Sequence, residues 1–115
     1  MLCNHIVVKK MTEVQKNIAV ANLVIDELHK DKPFVLQLNV EQTKAMHDIA
    51  VESWHIKDKF VSNLTIFMWV KSDKNLSSKI EVDKSNTDVI YHMLSSYIAK
   101  HSLPESVVES LKEVS

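Results

Sequence analysis

Glu52 and His55 stand three residues apart, with Asp48 four residues before Glu52 and His47 beside it. On a helix over 40–55, Asp48, Glu52 and His55 share one side. Carboxylates beside an imidazole are the material of acid–base chemistry and of metal ligation. Glu-x-x-His is also half of a di-metal carboxylate motif, which in full takes two such pairs and two further carboxylates. The chain has no second Glu-x-x-His. A solvated acidic face, with His55 at the helix end where the dipole favours it, accounts for the same residues. A metal-dependent or acid–base enzyme at Glu52/His55 is therefore carried as an alternative. No residue is assigned as catalytic, no metal ligand set is assigned, and no cofactor is expected.

Two smaller groupings give less. His92 and Ser96 are four apart, but a serine nucleophile also needs an oriented base and an oxyanion hole. Cys3 and His5 supply two ligands where a metal site needs more. Lys71, Lys74, Lys79 and Lys84 gather near Trp69. Basic residues beside an aromatic ring are the ingredients of a single-strand nucleic-acid platform. Asp73, Glu81 and Asp83 are interleaved with them and cancel most of the field.

Composition removes whole classes of function. The chain has 115 residues, no glycine and a formal net charge of −1. Walker loops, dinucleotide fingerprints and nucleophile elbows each need glycine for a tight turn or a close backbone approach. All 14 basic residues are lysine. There is then no guanidinium for bidentate recognition of phosphate, carboxylate or guanine. Scarce Gly, Ala, Arg and Pro beside abundant Lys, Ile and Asn is also what an AT-rich coding sequence produces, such as that of a phage, another virus or a low-GC bacterium. A single cysteine, Cys3, excludes an intramolecular disulfide and fits a reducing compartment. Ile6-Val7-Val8 is too short for a signal-peptide core, and Leu64–Val70 is far below the roughly 20 residues of a membrane span. The expected location is the cytoplasm, that of the host if the source is viral.

The elements that must position these residues follow from capping and periodicity. Residues 12–31 read as a helix opened by a Thr12/Gln15 capping box and closed by Pro33. Its apolar residues Met11, Val14, Ile18, Ala21, Ile25 and Leu28 alternate spacings of three and four, and Val20, Leu23 and Val24 widen the stripe. Phe34–Leu38 fits a strand, and Asn39 with Gln42 opens a helix over 40–55. Residues 60–71 suit either a helix or a strand. The β-branched and aromatic content of Leu64–Val70 favours a strand, turning at 72–75 with Asn75 in the left-handed position and returning as Lys79–Val82. Residues 85–101 read as a helix, and Ser102 with Pro104 opens a short C-terminal one.

Leu36–Asn39 with Thr43, Met46 and Ile49 matches Ile80–Asp83 with Thr87, Ile90 and Met93 at a constant offset of 44 residues. This is either an internal repeat or the common look of any strand followed by a capped helix.

The expected fold is a single α+β domain over 1–115, with a sheet of three or four strands covered by three helices and a short C-terminal helix. The alternative is an all-α five-helix bundle in which 57–71 is helical. The expected function is a non-enzymatic protein–protein interaction module, a small accessory, inhibitor or assembly protein acting as a homodimer. The contacts would come from Val20, Val24, Trp54 and Trp69, because aliphatic and aromatic anchors dominate interfaces. A nucleic-acid binder using Lys71, Lys74, Lys79 and Lys84 is the first alternative. No membrane partner is expected.

Overall fold

A computed structural model describes the backbone of residues 12–114 and the side chains of residues 12–101. Cys3, His5, Met11 and the C-terminal Val107, Val108, Leu111 and Val114 side chains lie outside the described residues. The element order is α1 (Glu13–Glu27), β1 (Phe34–Leu38), α2 (Val40–Val51), α3 (Lys59–Asp73), β2 (Ser78–Val82) and α4 (Thr87–Val114). The class is α+β, but the sheet has two strands among the described residues, not three or four.

Local chemistry explains most of the boundaries. The Thr12 hydroxyl accepts from the Gln15 amide at 3.0 Å while the Gln15 side chain accepts from the Thr12 amide, so the capping box forms. Asn39 and Gln42 repeat it at α2. α1 stops at Glu27, short of the expected residue 31, because the Lys32 ammonium donates to the Leu28 and Lys30 carbonyls and holds them in a turn. α4 continues to Val114, so the separate helix expected from Ser102 is instead part of it. A proline removes one helical hydrogen bond, and here it does not end the helix.

The main correction concerns residues 59–73, which form a helix where a strand over 64–70 was expected. The Asp58 carboxylate accepts from the Phe60 amide and starts the helix. Val61, Leu64 and Met68 bury one stripe at spacings of three and four. The Thr65 hydroxyl donates back to the Val61 carbonyl at 2.8 Å, which satisfies the β-branched residue inside the helix. Asn75 does take a left-handed conformation, with φ 56°. It closes α3 rather than a hairpin: the Leu76 amide donates to the Lys71 carbonyl and the Asn75 amide to the Ser72 carbonyl, a Schellman ending made without glycine.

β1 and β2 pair antiparallel, with Leu36 opposite Ile80, Phe34 opposite Val82 and Leu38 opposite Ser78. The strands are themselves 44 residues apart, so this register sets a local twofold axis through the Leu36–Ile80 pair. The offset extends into the helices. Asn17 and Val61, Val24 and Met68, Met46 and Ile90, and Ile49 and Met93 are all buried at equivalent places. The Thr43 hydroxyl donates to the Asn39 carbonyl as the Thr87 hydroxyl does to that of Asp83. The chain thus folds as two α-β-α units, α1-β1-α2 and α3-β2-α4. Their apolar faces meet in one core under the inner sheet face of Leu36, Leu38, Ile80 and Val82.

Candidate functional site

Glu52 and His55 do not share a helix face. α2 ends at Val51, Glu52 is its C-cap, and residues 52–55 are a turn, so helical spacing no longer applies to His55. Glu52 Oε1 instead lies 2.7 Å from His101 Nε2 and accepts from Lys100 Nζ at 3.1 Å, fastening the end of α2 to α4. Partial burial acts to raise the Glu52 carboxyl, but the hydrogen bonds and charges of His101 and Lys100 outweigh it and hold it below the ordinary value. The Tyr97 ring packs on the His101 ring at 4.3 Å. Next to it, buried Asn17 donates to the Tyr97 hydroxyl at 2.9 Å and to Asp48 at 3.3 Å. Burial, first of all, raises the Tyr97 phenol, and the Asn17 donor opposes this.

Asn17, His47, Asp48, Glu52 and Tyr97 line a depression of about 300 Å³ where α1, α2 and α4 meet. A carboxylate bonded to an imidazole is two parts of a general-base arrangement, which needs a nucleophile as the third. Among the described residues, the His101 ring makes no second hydrogen bond, and no group of three or more His, Cys, Asp or Glu side chains is placed to hold a metal ion. The cluster's visible work is to tie three helices together. Sequence reasoning missed the Glu52–His101 pair because the partners are 49 residues apart.

The lysines do not form a hairpin platform, because the first strand of that hairpin is α3. Lys71 closes α3 with its ammonium 5.4 Å from the Phe67 ring centroid, Lys74 is the helix C-cap, Lys79 is on the outer face of β2, and Lys84 is in the turn before α4.

The four residues expected to make protein contacts have separate fates. Val24 is a correction: it is fully buried in the core, because the widened stripe of α1 packs inside its own domain. Val20 is half-buried beside a groove between α1 and α2. Trp54 is 79% exposed in the turn after α2. Trp69 is 58% exposed on α3, and it is not alone there.

α3 carries Ile66 at 61% exposure, with Phe67, Trp69 and Val70 exposed beside it. At 100° per residue, Ile66 points about 160° away from both Leu64 and Met68, so it marks the line farthest from the core. Ser62, Trp69 and Val70 flank that line. The matching positions of α1, 44 residues earlier, carry Asn22 and Asp26 in place of Ile66 and Val70, and the apolar Leu23 and Ile25 in place of Phe67 and Trp69. At Ile66 and Val70 the fold position is thus polar in one unit and apolar in the other, so packing of the fold does not require those two apolar residues. Solvated apolar side chains grouped this way mark interaction surfaces.

No helix among the described residues is long and apolar enough to cross a membrane. No family model, curated protein or solved structure matches the chain.

Proposed function

We propose that the chain is a non-enzymatic protein–protein interaction module, a small accessory, inhibitor or assembly protein, whose working surface is the outward face of α3. The observation that carries this reading is the exposure of Ile66, Phe67, Trp69 and Val70 together on a helix whose opposite face already fills the core. Trp69 stays from the expected contact set, and Ile66, Phe67 and Val70 join it. Tryptophan is among the residues most enriched at interface hot spots. At the depression, the Glu52 carboxylate is engaged by His101 and Lys100 of α4, which supports a structural role for it.

Capture on an immobilised chain tests the reading. The bait is compared with an Ile66→Glu/Trp69→Glu variant, and a tagged second copy of the chain is included among the prey. The variant should keep its helical circular dichroism and a melting temperature within a few degrees, since it changes only side chains facing water. It should lose a protein that the unaltered chain retains. Equal capture by both baits would contradict the proposal.

A further inference from the structure

We infer that the occupant of the α3 face is a second copy of this chain, docked with the two α3 helices antiparallel and the twofold axis passing at Ile66. This rests on the reading of that face as an interaction surface and names its partner. Lys59, Ile66 and Asp73 are spaced by seven, so they fall along one line of the helix with only a small drift. That line is cationic at its start, apolar at its middle and anionic at its end. Turned about Ile66, a second copy sets its Asp73 against Lys59 and its Lys59 against Asp73. Among the described residues, neither Lys59 nor Asp73 makes an ion pair within its own chain.

Shape follows the same rotation. Ser62 falls opposite the second copy's Trp69 and Asn63 opposite its Val70, so smaller polar side chains face the larger apolar ones. Antiparallel pairing also aligns the helix dipoles favourably. A parallel pair would set Lys59 on Lys59 and Asp73 on Asp73, and would repel at both ends. Complementary charge of this kind chiefly fixes register and orientation, while the apolar centre supplies the attraction. Both copies use the same patch, as an isologous twofold interface must.

The small area puts the pairing at the weak end of specific interfaces. The four apolar side chains expose on the order of 400 Å² per copy. A standard interface takes about 800 Å² from each partner. The pairing is accordingly a micromolar, rapidly exchanging dimer, which makes subunit mixing feasible.

The test is a charge exchange followed by sedimentation equilibrium. Lys59→Asp puts carboxylates opposite one another at both ends of the seam, and Asp73→Lys puts ammonium groups there. Both substitutions suit the helix dipole, with an acid in the first turn and a base in the last, so the variants stay folded. Each alone should dimerise about tenfold more weakly than the unaltered chain. An equimolar mixture of the two restores opposite charges at both ends, and should regain the original affinity as a heterodimer. A monomeric unaltered chain at about 0.5 mM, well above micromolar, would overturn the inference. So would single variants that dimerise undiminished, or a mixture no tighter than its components. If the chain is monomeric yet still captures a different protein through Ile66 and Trp69, the self-pairing falls and the proposed function stands.

Discussion

Asn17 shows how one buried amide can hold an element in place. It is a polar residue on the core stripe of α1, at the position Val61 occupies in α3, and its donors go to Tyr97 and Asp48. Asn17→Ala should cost about 1–3 kcal/mol in urea unfolding, because the Tyr97 hydroxyl is left buried without this partner. Tyr97→Phe removes one hydrogen bond and should cost about 1 kcal/mol. Glu52 carries part of the pH dependence. Its carboxyl sits below its ordinary value of 4.5 in the fold, so its ion pairs stabilise the native state above that pH. The contribution is lost as pH falls through the lowered native value. Glu52→Gln should flatten the acid limb of a stability-against-pH curve in this window, by no more than about 1 kcal/mol because the pair is partly solvated. An unchanged acid limb would mean that the pairing with His101 and Lys100 contributes nothing to folding.

Among the elements, α3 is both the segment that reads wrongly from sequence and the segment proposed to function. Leu64–Val70 is apolar at almost every position. The stripe of Val61, Leu64 and Met68 is hidden there because Ile66, Phe67, Trp69 and Val70 fill the side that water would normally mark with polar residues. Periodicity is a signal of contrast, and a helix apolar on two faces has none. Where the outer face is polar, as in α1 and α2, the capping boxes and the strand at Phe34–Leu38 were readable residue by residue. The Glu52–His101 pair was not readable, since nothing local links a helix end to a residue 49 positions away. The 44-residue offset was visible, but only the register of β1 on β2 distinguishes a repeat from coincidence. At the end of α3, Asn75 pays a steric cost for its left-handed backbone that glycine would avoid. Asn75→Gly should leave thermal stability equal or raise it slightly, whereas Asn75→Val should lower it by about 1 kcal/mol or more. Equal melting temperatures for all three would argue against the Schellman ending.

For the whole molecule, two α-β-α units share one core and differ in what they show to solvent. The first unit turns Asn22 and Asp26 outward on α1 where the second turns Ile66 and Val70 outward on α3, while Leu23 and Phe67 are exposed and apolar in both. A fold position filled by asparagine in one half and isoleucine in the other is not held apolar by packing. Val24 and Met68, equivalent and fully buried, define the shared requirement. Met68→Ala should cost about 2–5 kcal/mol. Ile66→Glu, two residues away, should leave stability nearly unchanged or improve it, as both melting curves would show. The most direct measurement is sedimentation equilibrium of the unaltered chain and Ile66→Glu over the same concentration series. The unaltered chain should show a reversible monomer–dimer equilibrium and the variant a monomer at every concentration, with identical circular dichroism. A monomer in both, or a dimer unaffected by the substitution, would contradict the self-pairing through α3.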